Sequence, residues 1–224
     1  MSTVARTNQP AALQLSKPRL RGVSHAWAAL VAAVVAVALL VTADPGAERV
    51  AALVYGAGLV ALFGGSGIYH LWPGSPRWKP LLRRIDHSTI FVFIAASYTP
   101  VALLLLHGTT QALVLGGVWL GALAGVTLSI GWIDAPRWLG AATYLALGWV
   151  ALLAMPQLID ALPAAPLALI AAGGILYSIG AVIYATRRPD PWPATFGFHE
   201  LFHAFVIAAA ATHVVAFAGW VFPS

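Results

Sequence analysis

The sequence contains no cysteine. Disulfides and thiolate metal sites are therefore excluded. Charge is almost as scarce: 12 Lys+Arg and 7 Asp+Glu make up 8% of 224 residues. A soluble domain averages about 25% charged, so the shortfall rules out an ordinary soluble globule, a disordered chain and a coiled coil. The only lysines, Lys17 and Lys79, lie in basic flanks, which excludes a retinal Schiff base inside a seven-helix bundle. The alternation of a membrane β-barrel is also missing. What remains is apolar: 60% of the residues are hydrophobic. At roughly 30 residues per membrane helix and loop, about seven spans fit.

The apolar runs are 23–41, 50–72, 85–106, 112–132, 138–159, 164–185 and 199–222. Each is near the ~20 residues that cross a bilayer core, and helices are the spanning form they predict. Asp44-Pro45-Gly46, Pro73-Gly74-Ser75-Pro76, His107-Gly108-Thr109-Thr110, Asp134-Ala135-Pro136, Leu162-Pro163 and Pro189–Pro193 separate them. Residues 1–16 are expected to form a disordered cytoplasmic tail, with no signal-peptide pattern, and 17–224 a single all-α membrane domain. Every Lys and Arg except Arg49 falls on one side of this arrangement. Basic loops stay inside, so the N-terminus is expected in the cytoplasm and the C-terminus outside, in the cell membrane. The net charge of +5 is thus a topology signal, and no nucleic-acid partner is expected.

Ionisable residues inside spans are costly and mark function. Span direction brings His70, Asp86, His199 and His203 to similar depth near the cytoplasmic ends, with His25 and His87 nearby. His213 lies about 15 Å further along the last span, at ~1.5 Å per residue. His199 and His203, four apart on a helix, face one side. Two imidazoles so placed can share one ion, and His70 from another span is the candidate third of a tripod suited to Zn2+; the alternative is that these are hydrogen-bonded or solvated histidines at headgroup depth. His199-Glu200-Leu201-Phe202-His203 also fits the H-E-x-x-H pattern of zinc proteases, in which the glutamate is the general base. An intramembrane metalloprotease is therefore an alternative. Gly64-Gly65-Ser66-Gly67 fits the rhomboid G-x-S-G pattern, but Ser66 is near the inner end of its span and His213 near mid-membrane. Helix packing, or support of the metal site, is the better reading of Ser66.

The chain resembles the hemolysin III family, within the progestin and adipoQ receptor superfamily that includes the adiponectin receptors. The resemblance rests on Lys17-Pro18-Arg19-Leu20-Arg21-Gly22 with His25, and on Ser66 with Tyr69-His70. It continues through Arg84-Ile85-Asp86-His87-Ser88 and Ser97-Tyr98-Thr99-Pro100, Tyr144 to Gly148-Trp149, Gly173-Gly174 to Gly180, and His199–His203 with His213. It implies seven helices and one zinc near the cytoplasmic face, with His70, His199 and His203 as ligands. It also implies that Asp86 holds the reacting water and that Ser66 stands near it; Glu200 is not a ligand. The activity so implied is zinc-dependent, ceramidase-like hydrolysis of a lipid amide or ester, in membrane homeostasis. The alternative is a non-catalytic membrane sensor in which zinc is structural, a site usually closed by a fourth protein ligand. His25 and His87 are the spare imidazoles that would close it. Membrane lipids are the expected partners, and no obligate protein partner is evident. Despite the family name, nothing here has the soluble-to-membrane design of a pore-forming toxin.

Overall fold

The structure, a computed structural model, describes residues 18–222. The segment read as a cytoplasmic tail, and Lys17, lie outside the described residues. Eight α-helices follow in order: α1 (Val23–Thr42), α2 (Ala47–Leu71), α3 (Lys79–Leu104), α4 (Gly108–Gly131), α5 (Arg137–Gly148), α6 (Ala151–Ala161), α7 (Ala164–Thr186) and α8 (Phe198–Ala216). A 3-10 turn, Pro76–Trp78, precedes α3, and a π turn, Phe217–Val221, extends α8. Together they make seven segments long and apolar enough to span a membrane, with α5 and α6 forming one of them. The protein is an integral, multi-pass membrane protein with a seven-helix bundle.

The bundle is a closed ring. Each of the first four helices packs on the next, α4 meets α5 and α6, α5 meets α7, α7 packs on α8, and α8 returns to α1. Lipid tails offer no hydrophobic drive between helices, so close packing at small residues has to hold them together. A Cβ added at Gly56 of α2 would lie 2.7 Å from the Ala36 Cβ of α1, and one at Gly125 of α4 would strike the Phe91 ring of α3. On the outer face of α1, Trp27, Val34 and Val41 are 68%, 70% and 76% exposed. In a bilayer these side chains meet acyl chains.

Two spans depart from the sequence reading. The third helix begins at Lys79, well before the apolar run at Ile85. Its basic residues did not end the helix because each finds an acceptor outside it. Lys79 donates to the Tyr69 carbonyl (2.8 Å), Arg83 to Asp134 (2.8 Å) and Arg84 to the Ile130 carbonyl (3.0 Å). The fifth span is not one helix but two, broken at Trp149-Val150. The Tyr98 hydroxyl of α3 enters the gap, donating to the Gly148 carbonyl and accepting the Ala151 N–H at 2.7 Å. Backbone groups freed inside a membrane must be satisfied again, and Tyr98 does so for both ends of the break.

Candidate metal centre

Ser66 and His70 are one turn apart on α2, and His199 and His203 one turn apart on α8. Asp86 lies near the start of α3. The end of α2 and the starts of α3 and α8 share one end of the bundle, so five separated residues converge. One ligand atom each from His70, His199 and His203 lies within 4.8 Å of the others. His70 and His203 are buried and His199 half-buried. The Nε2 atoms of His70 and His199 are 3.1 Å apart. Two nitrogens ~2.0–2.1 Å from one tetrahedral ion stand about 3.3 Å apart, so the pair is close to coordinating geometry. The buried Nδ1 of His203 has no hydrogen-bond partner. Three converging imidazole nitrogens, two buried and one half-buried, fit a divalent cation, and the donor set is one that zinc accepts.

Asp86 is buried, with Oδ2 3.8 Å from His70 Nε2 and the Ser66 side chain near its carboxylate. It therefore stands beside the cluster rather than within it. His25 and His203 are stacked, with ring centroids 3.6 Å apart and planes inclined by 11°. An imidazole binds metal in its own plane, so an ion in the plane of His203 lies well off the plane of His25. His25 thus braces His203 and does not share its ion. His87 is outside the cluster as well. His213 is deeper in α8, its Nε2 3.2 Å from the Ile170 carbonyl, and His107 precedes α4 on the surface.

Glu200 points away from the cluster's chemistry. Its side chain forms an ion pair with Arg21 and accepts the Gly197 N–H at 2.9 Å. Asp190 accepts the neighbouring Phe198 N–H at 2.7 Å. These two carboxylates satisfy donors left open at the first turn of α8 and so fix where His199 and His203 emerge. The protease reading needs this glutamate free to act as a base, and both of its oxygens are engaged.

The segment before α1 lies against the candidate site, a contact that the sequence reading, which used it for topology and for the resemblance, did not predict. Arg19 and Leu20 donate through their backbone N–H groups to the carbonyls of Ala194 and Thr195, each at 3.2 Å. Gly22 has φ +83°, and a Cβ added to it would lie 2.3 Å from the His70 Cβ. Glycine is required there twice over, by conformation and by contact. The Gly22→Ala variant is expected to push His70 out of register and to lower metal retention at least ~10-fold, by analogy with losses at groups that orient ligands. Competitive chelator titration of the purified protein measures it; unchanged retention would refute a tight approach at Gly22.

The polar cluster is one end of a cavity of about 510 Å3 lined mainly by α3, α5, α6, α7 and α8, with His25 of α1 and Leu62 and Ser66 of α2 at its border. Ser66, Asp86, His199 and His203 border it, and side chains such as Ile94, Val101, Leu158 and Val206 form its apolar length. The broken fifth span contributes Gly148, Trp149 and Ala151 to the wall.

This layout can be set against known proteins. The sequence model of the family described as Haemolysin-III related matches residues 13–214. The chain belongs to that family. It is 33% identical over 158 residues to the Hemolysin-3 homolog of Bacillus subtilis (strain 168), covering 70% of this chain and 71% of that one. It is 32% identical over 164 residues to Hemolysin-3 of Bacillus cereus, covering 72% and 71%. Similarity reaches animals: the monocyte to macrophage differentiation factor of Homo sapiens is 29% identical over 179 residues, covering 75% and 69%. All five residues of the converging cluster fall within the part that matches the haemolysin-III related family.

Proposed function

We propose that this haemolysin-III related protein is a metal-dependent hydrolase of a lipid amide or ester. The observation that carries the reading is the junction of the three-histidine cluster, Asp86 and Ser66 with an apolar cavity of about 510 Å3. Polar catalytic chemistry at the end of a hydrophobic cavity suits a molecule with a reactive head and a long tail. A tail that enters from the bilayer gains little hydrophobic energy, so close van der Waals contact along the cavity, with the carbonyl resting at the cluster, is what would hold the substrate. The basic loops favour a cytoplasmic position for this end.

A Zn2+ held by His70, His199 and His203 would supply Lewis acidity toward a carbonyl oxygen and a water. Asp86 accepts the proton of the attacking water as general base. Ser66, near Asp86, would orient the carboxylate by donating its hydroxyl proton. His25, flat against His203, keeps that imidazole from turning. Water adds across the C–N or C–O bond. The acid product keeps the acyl chain, and the amine or alcohol leaves with the proton Asp86 had taken. A catalytic reading requires a coordination position not filled by protein. His25 is stacked out of the necessary plane, and no fourth donor joins the three histidines among the described residues.

The test is fatty-acid release from N-acyl and O-acyl lipids by the detergent-purified, zinc-replete protein. Release abolished by chelation and restored by Zn2+ is the expected result. No release from any amide or ester, by folded protein carrying one metal per chain, would overturn the reading and leave a metal that pins α2 to α8.

A further inference from the structure

A second, smaller hollow of about 40 Å3 lies between α3, α4 and α5 at the same end of the bundle. Its walls include Arg83, His87, Arg137, Tyr144 and Tyr184. His87, Tyr144 and Tyr184 also border the large cavity, so the two spaces adjoin along these three side chains. The group in this hollow that nothing above uses is the Arg137 guanidinium. It lies over two aromatic rings, 5.6 Å from the centre of Tyr184 and 5.5 Å from that of Phe198. Such contacts hold a cation in place without consuming its N–H donors. Arg137 has no carboxylate partner among the described residues.

The acidic residues of the sequence explain why. There are 7 Asp+Glu in all. Glu200 pairs with Arg21, Asp134 with Arg83, and Asp190 accepts the Phe198 N–H. Asp86 stands beside Ser66 and His70. Asp44, Glu48 and Asp160 lie at the opposite end, around the start of α2 and the end of α6. None is left for Arg137 among the described residues; the groups that act on it are the Tyr184 phenol and the positive Arg187, Arg83 and Arg21. Tyr184 is near enough to feel both Arg137 and Asp86. A guanidinium held against two rings, exposed to the surroundings and without a carboxylate partner among the described residues, therefore lines a hollow that adjoins the cavity bearing Asp86.

We infer that this hollow is an anion subsite that seats the phosphate headgroup of a single-chain lipid on Arg137 while the acyl chain occupies the large cavity. Arginine engages phosphate through paired N–H donors, and His87 and Tyr184 are further polar groups at the rim. The inference rests on the hydrolase reading and deepens it by naming the headgroup of the substrate. Binding itself needs no turnover, so the two fail separately.

The test measures affinities of the full chain in neutral detergent for 1-oleoyl lysophosphatidate, for 1-oleoylglycerol, and for inorganic phosphate. The phosphate-bearing lipid is expected to bind at least ~10-fold more tightly than the neutral one, as one charge-assisted contact provides. Arg137→Gln is expected to bring the two lipids within about twofold, leaving oleoylglycerol affinity and metal content unchanged. Arg188→Gln, at the same end but outside the hollow, is expected to keep the preference. No preference in wild type, or a preference retained by Arg137→Gln, overturns the subsite. A preference lost in His203→Ala and kept in Arg137→Gln assigns the phosphate to the histidine cluster and also overturns it. Inorganic phosphate binding more tightly than the lipid makes the hollow a free-phosphate site and overturns the headgroup assignment. Headgroup preference that collapses in Arg137→Gln, in a protein that hydrolyses nothing, sustains the subsite while the hydrolase reading fails.

Discussion

Alanine at His199 or at His203 is expected to strip the purified protein of its metal, from about one ion per chain to below a tenth of that. Loss of a group that merely orients a ligand costs 10–100-fold in affinity, and loss of a ligand itself costs more. The two residues share one face of α8, and His70 meets them from α2. Removing either leaves two nitrogens on an ion that needs at least three protein donors to be retained through purification. His107→Ala is the control, because this exposed histidine precedes α4 far from the cluster in the chain. It should keep the full complement. Elemental mass spectrometry on protein of known concentration reads the result. Equal metal in His203→Ala and wild type would remove the tripod, and with it the basis of the proposed chemistry.

Much of this was legible in the sequence because it is carried by local pattern. A bilayer demands about 20 apolar residues per span, and the runs from 23–41 to 199–222 supply them. The histidines stood out because imidazoles one turn apart are rare inside apolar segments. What escaped was nonlocal. The break at Trp149-Val150 depends on Tyr98, about fifty positions away. Arg21 counted as one more basic residue of the flank until its partner, Glu200, appeared at the far end of the chain. Gly22 carries no signal of its own; its importance comes from His70 pressing on it. The early start of α3 was hidden by Lys79, Arg83 and Arg84, whose charges interrupt hydropathy but not the helix. Packing partners decide all four, and hydropathy does not encode partners.

The sharpest expected contrast is between two carboxylates, Asp86 and Glu200. Asp86→Asn should keep the metal and lose ~10²–10⁴-fold in hydrolytic rate, the range for a general base. The amide retains the volume beside Ser66 and His70 but accepts no proton. Glu200→Gln should keep both the metal and the rate. The amide oxygen can still accept the Gly197 N–H, so the start of α8 persists and the rate stays within a few-fold. Stability suffers, however, because Arg21 loses its counter-charge. Breaking a buried ion pair costs ~3–5 kcal/mol. Arg21 keeps 20% exposure against 2% for Glu200, so solvent recovers part of that, and a loss nearer 1–3 kcal/mol is expected. Thermal melting in detergent and rate measurements on both variants, with metal content alongside, separate the outcomes. A rate abolished by Glu200→Gln and untouched by Asp86→Asn would reverse the assignment. It would make the H-E-x-x-H segment a protease-like centre, and it would require the Arg21–Glu200 pair to open before catalysis.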